Sequence, residues 1–156
     1  MSVEIERKFL VKNDLFKEQS EKKVYIKQGF LNSDKERVVR VRLKDEQGFL
    51  TIKGASNISG TTRFEWEKEI TKQEALDLFK LCEKGNIEKY RYLVTIDRHT
   101  YEVDEFLDDN LGLIVAEIEL SSEDEIFTKP DWLGEEVTGQ AKYYNSNLSK
   151  YPFNKW

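Results

Sequence analysis

The sequence alternates charged and apolar residues with a period of two in eight short segments. Successive side chains of a β-strand point to opposite faces, so this alternation predicts strands that have one charged and one apolar face. The predicted strands cover residues 3–11, 23–31, 37–44, 48–53, 62–70, 87–94, 100–106 and 113–120. A capping box at Thr71-Lys72-Gln73-Glu74 predicts one helix, and shorter helices are expected around residues 13–20 and 142–150.

The order of these elements predicts an α+β protein that is mainly antiparallel β. Eight antiparallel strands can form either a barrel or two curved sheets. A barrel of about eight strands leaves an interior that side chains fill or that holds one small ligand. We expect an eight-stranded closed β-barrel with helices packed outside. With only two prolines and no Ser/Gly/Pro-rich linker, residues 1–156 are expected to form a single domain.

Several protein classes are not expected from the composition. No apolar run approaches the roughly 20 residues of a membrane span, and the charged N-terminus lacks the apolar region of a signal peptide. A single cysteine, Cys82, and a single histidine, His99, cannot form an internal disulfide or a zinc site within one chain. We therefore expect a cytoplasmic protein with no membrane partner. The pI near 5.1 argues against a specific nucleic-acid partner, and both a monomer and a homodimer remain open.

The charged strand faces carry both signs. If the apolar faces pack against helices outside the barrel, the charged faces point into its lumen. The bases there would be Lys8, Arg40, Arg42, Lys53, Arg63, Lys89 and Arg91. The acids would be Glu4, Glu6, Glu65, Glu67, Glu102, Asp104, Glu117 and Glu119. Because an unpartnered buried charge is costly, such a lumen must stay wet, pair its charges or receive a charged ligand.

The two sets of charges indicate the chemistry of that ligand. Arg presents a planar fork of donors and Lys a mobile point charge, and both suit phosphates. Seven cations exceed the need of one phosphate, so a polyphosphate chain fits their number better. Paired carboxylates without neighbouring His or Cys suit a hard divalent cation such as Mg²⁺, Mn²⁺ or Ca²⁺. Together the acids and bases predict a site for a metal-chelated triphosphate.

The N-terminal segment Glu4-Ile5-Glu6-Arg7-Lys8-Phe9 resembles the Glu-x-Glu-x-Lys signature of the CYTH superfamily, the triphosphate tunnel metalloenzymes. The family's further motifs are matched in order by Arg40-Val41-Arg42, Thr51-Ile52-Lys53, Glu65-Trp66-Glu67, Lys89-Tyr90-Arg91, Glu102-Val103-Asp104 and Glu117-Ile118-Glu119. Residues 132–139 and then 142–145 resemble the C-terminal segment of the short bacterial members. The resemblance covers roughly residues 1–150 and implies an eight-stranded antiparallel triphosphate tunnel.

The resemblance also implies roles for individual residues. A metal, Mg²⁺ or Mn²⁺, would be held by Glu4, Glu6, Glu117 and Glu119. The triphosphate would contact Lys8, Arg40, Arg42, Lys53, Arg63, Lys89, Arg91 and Lys142. Catalysis would involve Lys8, Arg42, Lys53, Glu65, Glu67 and Asp104. Among the acids Glu65, Glu67, Glu102 and Asp104, holding a second metal, orienting water and pairing with bases remain open. The family pattern is not kept at Gln140-Ala141-Lys142.

The expected reaction is metal-dependent hydrolysis of a phosphoanhydride bond, most simply of tripolyphosphate to pyrophosphate and phosphate. The compact chain leaves few segments for a base-recognition pocket, so a nucleoside triphosphate would be bound through its phosphates alone. Two alternatives remain open. One is a class IV-type adenylate cyclase, and the other is a non-catalytic module that binds polyphosphate or nucleotides.

Overall fold

The computed structural model describes residues 5–56, 58 and 63–156. Its strands are β1 (Ile5–Val11), β2 (Lys22–Asn32), β3 (Arg37–Lys44), β4 (Gln47–Ser56), β5 (Arg63–Ile70), β6 (Ile87–Ile96), β7 (His99–Phe106), β8 (Ile114–Leu120) and β9 (Leu133–Glu136). Its helices are α1 (Leu15–Gln19), α2 (Lys72–Phe79) and α3 (Asn145–Leu148), with 3-10 turns at Asp108–Asn110, Ala141–Tyr143 and Phe153–Lys155. All eight predicted strands are present, while residues 3, 4 and 62 of the predicted strands lie outside the described residues.

The strands form one antiparallel sheet in the order β5-β4-β3-β2-β6-β7-β8-β1-β9. The expectation of a closed barrel of eight strands was wrong in its strand count, and within the described ranges no pairing joins the edge strands β5 and β9. The physical reason lies at β1, because β9 occupies the edge that a closing strand would need. Phe9 pairs with Glu136 and Val11 with Leu133 along that edge.

The sequence pattern did not reveal β9, because its four residues show no alternation. Its position depends on a close backbone approach to β1. A Cβ atom on Gly134 would lie 2.9 Å from the carbonyl oxygen of Leu10, so a residue with a side chain would push the two strands apart. The approach is held by hydrogen bonds from Lys12 N to Trp132 O and from Val137 N to Lys8 O, both 2.8 Å long.

Helices α1 and α2 pack outside the sheet, on its apolar face, as expected. Phe16 of α1 is fully buried against Tyr92 and Trp132, with ring centroids 5.3 and 6.0 Å away. Ala75 of α2 packs against Val41 and Leu43 of β3. The capping box of α2 is confirmed: Glu74 N donates to Thr71 Oγ1 at 3.0 Å, and Thr71 N donates to Glu74 Oε1 at 2.9 Å. No helix in the described part of the chain is long and apolar enough to cross a membrane.

The C-terminal segment, residues 137–156, does not form the single helix that was expected over residues 142–150. Extended backbone at Tyr144 separates the 3-10 turn from the short helix α3. The segment packs on the opposite face of the sheet from α1, since Tyr143 and Leu148 join a cluster with Ile87 and Phe106. One end of that second face is thereby covered.

Candidate active site

The second face of the sheet, called the charged face below, surrounds a cleft of about 440 Å³. Strand register places its polar residues side by side, because Glu6 lies opposite Glu119, Lys8 opposite Glu117 and Gln28 opposite Arg42. Every strand from β1 to β8 contributes to the cleft, so the sheet curves around it. The predicted residues that line it are Glu6, Lys8, Arg40, Arg42, Lys53, Arg63, Glu65, Glu67, Lys89, Arg91, Glu102 and Glu117.

Three of the predicted site residues that the structure describes do not line the cleft. Asp104 is buried behind it, and Glu119 is exposed beside Glu6 on the neighbouring strand. Lys142 lies instead against aromatic rings, with its Nζ 4.5 Å from the ring centroid of Trp156. Glu4 lies outside the described residues.

These positions change the charge of the site. Of the described residues, eight cationic and five anionic side chains line the cleft, which gives these residues a net charge of +3. Among the described residues the near balance expected from the sequence does not hold, because Asp104 and Glu119 are not among the lining residues, Lys44 is an additional base, and the predicted acid Glu4 lies outside the described residues. A cationic cleft of this kind favours a ligand with several negative charges.

Asp104 binds two of the cleft's bases from behind. It accepts hydrogen bonds from Arg91 Nε and Nη2 at 2.7 and 2.9 Å, and its Oδ2 lies 2.7 Å from Lys89 Nζ. Burial would raise the pKa of Asp104, but the charges of Arg91 and Lys89 outweigh it and hold the pKa well below its usual range. A carboxylate that stays ionised and is fully hydrogen-bonded orients these bases rather than accepting a proton.

The two bases respond differently to the same partner. Burial lowers the pKa of Lys89 to about 8, although Asp104 opposes the change. Burial would also lower the pKa of Arg91, but the charge and paired hydrogen bonds of Asp104 raise it above its ordinary value. Arg91 is therefore a permanent cation, and Lys89 is the group of this pair whose charge changes in a mildly alkaline solution.

Neighbouring acids stabilise the charges of Arg40 and Arg42 less strongly than they stabilise the charge of Arg91. Burial, with repulsion between the two, lowers the pKa of Arg40 to about 9, and burial also lowers that of Arg42. Glu67 is an acidic neighbour of Arg40, with its Oε2 3.9 Å from Arg40 Nη2. Within the described residues, three buried donor atoms have no hydrogen-bond partner: Gln28 Nε2, Arg40 Nε and Arg42 Nε. A ligand with several acceptor oxygens would satisfy them.

Several lining residues were missed by the sequence reasoning: Gln28, Lys44, Thr138, Gly139, Tyr144, Asn145 and Ser146. The C-terminal segment supplies five of them. Lys8 N donates to Thr138 Oγ1 at 2.9 Å, Lys8 Nζ lies 5.0 Å from the ring centroid of Tyr144, and Lys89 Nζ donates to Asn145 Oδ1 at 3.1 Å. No local sequence pattern indicates that these residues of the C-terminal segment line the cleft. Gln28 could have been predicted, because strand alternation puts it on the charged face.

The acids of β1 and β8 provide oxygen donors only. Burial would raise the pKa of Glu117, but the charge of Lys8, whose Nζ lies 3.5 Å from Glu117 Oε1, lowers it overall. An all-carboxylate set fits a hard cation such as Mg²⁺ or Mn²⁺. Within the described residues, which exclude Glu4, no three His, Cys, Asp or Glu side chains are grouped closely enough to hold a metal.

Comparison with known proteins gives strong matches over nearly the whole chain. The CYTH domain profile matches residues 2–152. The inorganic triphosphatase of Acetivibrio thermocellus is 49% identical over 154 residues, which are 98% of this chain and 97% of that protein. An inorganic triphosphatase of Nitrosomonas europaea is 33% identical over 150 residues, or 94% and 96% of the two chains. The crystal structure of the inorganic triphosphatase NE1496 superposes with a TM-score of 0.69 at 31% identity, covering 93% of this chain and 96% of that one.

Proposed function

The chain belongs to the CYTH domain family, and on that premise we propose that it is an inorganic triphosphatase that hydrolyses tripolyphosphate to pyrophosphate and phosphate. The observation that carries the proposal is a set of buried donors, Gln28 Nε2, Arg40 Nε and Arg42 Nε, that have no partner among the described residues, in a cleft whose described residues carry a net charge of +3. A linear polyanion offers acceptor oxygens along its length, so it would satisfy donors that lie on neighbouring strands.

The cationic residues that we assign to the triphosphate are Lys8, Arg40, Arg42, Lys44, Lys53, Arg63, Lys89 and Arg91. Their role is to position the chain of phosphates and to stabilise the charge that spreads over the transferred phosphoryl group. Asp104 acts on this set indirectly, because it orients Lys89 and Arg91. Lys142 is left out, since its Nζ lies near the rings of Trp156 and Tyr143.

We assign Mg²⁺ or Mn²⁺ to the carboxylates of Glu6, Glu117 and Glu119, with Glu4 added from the sequence. When bound, the ion would withdraw negative charge from the phosphate oxygens. We assign Glu65 and Glu67 of β5 to the attacking water. Glu67 is half-exposed, and its Oε2 accepts a hydrogen bond from Thr51 Oγ1 at 2.8 Å, which fixes its position at the cleft. The water's oxygen would bond to the terminal phosphorus, the bond to the bridging oxygen would break, and the carboxylate would take the proton.

Two finer features remain part of the proposal. The tunnel that the family resemblance implies would correspond to the curved sheet around the cleft, and the contribution of all strands from β1 to β8 to one cleft supports this. A cytoplasmic location and a monomeric or homodimeric state stay predictions from the sequence.

Phosphate release from tripolyphosphate with Mg²⁺ and with Mn²⁺ tests the reaction. Arg42→Ala should lower kcat/KM at least about 100-fold, because it removes a charge-assisted contact and a buried cation. Arg37→Ala is the matched control, since Arg37 lies on the same strand with a side chain that is 75% exposed, bonded to Asp34. Activity that survives Arg42→Ala would contradict the site assignment.

Product identity separates the competing functions. ATP incubated under the same conditions should give phosphate or no product. Cyclic AMP with pyrophosphate would instead identify a cyclase, and tight binding of tripolyphosphate without turnover under either metal would identify a binding module.

A further inference from the structure

A row of three side chains crosses the neighbouring strands β3, β4 and β5 on the charged face. Arg40 lies opposite Thr51, and Thr51 lies opposite Glu67. Arg40 and Glu67 line the cleft, whereas Thr51 is fully buried and is not among the lining residues. Side chains that lie directly opposite each other on neighbouring strands are close enough to interact. Thr51 is therefore placed to join a base of the cleft to an acid of the cleft.

The hydroxyl of Thr51 makes a polar contact on each side. Thr51 Oγ1 donates to Glu67 Oε2 at 2.8 Å, and Arg40 Nη2 donates to Thr51 Oγ1 at 3.4 Å. The direct distance from Arg40 Nη2 to Glu67 Oε2 is longer, at 3.9 Å. The side chains of Arg40 and Glu67 thus make closer contacts with the Thr51 hydroxyl than with each other.

The direction of these hydrogen bonds follows from the groups that make them. A guanidinium can only donate and an ionised carboxylate can only accept, whereas a hydroxyl has one proton and two acceptor lone pairs. Thr51 therefore accepts from Arg40 and gives its single proton to Glu67. Donation by a cation polarises the hydroxyl and strengthens the hydrogen bond that the hydroxyl itself donates. The chain of hydrogen bonds links the positive charge of Arg40 to the carboxylate of Glu67.

The sheet itself does not need a hydroxyl at this position. In the neighbouring rows of the charged face, the central residue on β4 is Phe49 or Lys53. A fully buried position of a strand suits an apolar β-branched residue such as Val, which has the shape of Thr. The hydroxyl of Thr51 is thus explained by its two polar contacts and not by packing.

We propose that Thr51 is a positioning residue for hydrolysis, which couples the phosphate-binding Arg40 to the water-activating Glu67. This inference rests on the proposed function and deepens it. Because the Thr51 proton occupies Glu67 Oε2, we assign the other carboxylate oxygen, Oε1, to the attacking water. As the water's oxygen bonds to the terminal phosphorus and the bond to the bridging oxygen breaks, the water's proton passes to Oε1.

Steady-state kinetics with tripolyphosphate and Mg²⁺ test this role in two variants. Thr51→Val keeps the side-chain shape and removes the hydroxyl, so kcat should fall about 10- to 100-fold while KM changes by less than about threefold. Thr51→Ser keeps the hydroxyl and removes a buried methyl group, so the urea midpoint should fall while kcat stays within about twofold of the wild type. A merely structural role predicts the reverse, because activity would then follow stability.

Thr95→Val is the matched control. Thr95 lies at an exposed position of β6, is not among the residues that line the cleft, and also donates from its Oγ1 to a glutamate, Glu21. This variant should keep the kcat and KM of the wild type. If Thr51→Val does not fold, Thr51→Ala and Thr51→Ser give the same comparison, because both lack the buried methyl group and differ only in the hydroxyl.

A double variant shows whether Thr51 acts through Glu67. Glu67→Gln should lower kcat by itself, and the addition of Thr51→Val should then lower kcat by no more than about twofold. Two losses that multiply would mean that Thr51 acts independently of Glu67, and the proposal would be wrong.

The outcomes separate this proposal from the proposed function. If the wild-type protein hydrolyses tripolyphosphate and Thr51→Val has the same kcat, the role of Thr51 is refuted and the triphosphatase stands. Equal losses of kcat in Thr51→Val and Thr51→Ser would also refute that role, as would a rise in KM alone. If the wild-type protein releases no phosphate from tripolyphosphate, the proposed function fails and the role of Thr51 fails with it.

Discussion

Replacing Gln28 with Met should make the protein no less stable while making it a poorer enzyme. Gln28 is 1% exposed, and its Nε2 has no hydrogen-bond partner among the described residues. A buried donor without a partner costs about 1–3 kcal/mol, whereas an apolar side chain of similar shape carries no such penalty. Gln28→Met should therefore leave the free energy of unfolding unchanged or raise it by about 1 kcal/mol.

The effect on catalysis has the opposite sign. A hydrogen bond from a neutral donor to a charged acceptor is worth about 1.5–3 kcal/mol, which corresponds to a loss of about 10- to 150-fold in kcat/KM for tripolyphosphate. Urea unfolding measures the first quantity and initial rates of phosphate release measure the second. Gln73→Met, at an exposed position of α2 where Gln73 Nε2 donates to Asp77 Oδ1 at 3.0 Å, is the control.

A different pair of results would refute the reasoning. If Gln28→Met lowers the free energy of unfolding by more than about 1 kcal/mol and leaves kcat/KM unchanged, the amide stabilises the fold and does not contact the substrate. A lower kcat/KM with an unchanged or higher free energy of unfolding is what we expect for a hydrogen-bond donor whose partner is the ligand.

Two further predictions concern the buried ion network. Asp104→Asn leaves Lys89 and Arg91 without their shared acid, so urea unfolding at neutral pH should show a loss of about 3–5 kcal/mol, whereas the exposed Asp109→Asn should be neutral. Because Lys89 must be charged to bind phosphate and its pKa is lowered to about 8, kcat/KM should fall as the pH rises through 8, and Lys89→Arg should move this fall to higher pH. The stability change runs the other way: the folded form loses the Lys89 proton before the unfolded form, whose pKa is near 10.5, so this group makes unfolding harder as the pH rises from 8 to 10.5. A pH profile of the variant that matches the wild type would assign the alkaline fall to another group.

Much of the fold could be predicted from the sequence because strand alternation is local. The predicted strand over 37–44 coincides with β3, and Arg40 and Arg42 lie on the charged face as their parity requires. The same reasoning placed the bases and most acids of the cleft on one face. Alternation also puts Gln28 on this face, but only charged residues were considered as candidates for the site.

The burial of individual side chains could not be predicted from strand alternation. Alternation assigns Asp104 and Glu102 to the same face, but only packing buries Asp104 against Lys89 and leaves Glu102 at the cleft. The net charge of the cleft depends on this difference. Alternation also cannot show which apolar residues of the charged face are covered: in the folded protein Ile26 is fully buried, whereas Phe49 is only partly buried.

The sequence by itself determined the strands, their two faces and the kind of charges that meet, since each of these depends on neighbours along the chain. The tertiary structure decided what depends on distant contacts. Residues more than 120 positions apart pair β9 with β1, and that contact takes the edge at which a barrel would close. The same long-range packing brings Thr138, Tyr144 and Asn145 to the cleft and takes Lys142 away from it, because only the path of the folded chain fixes where a segment without a period comes to lie.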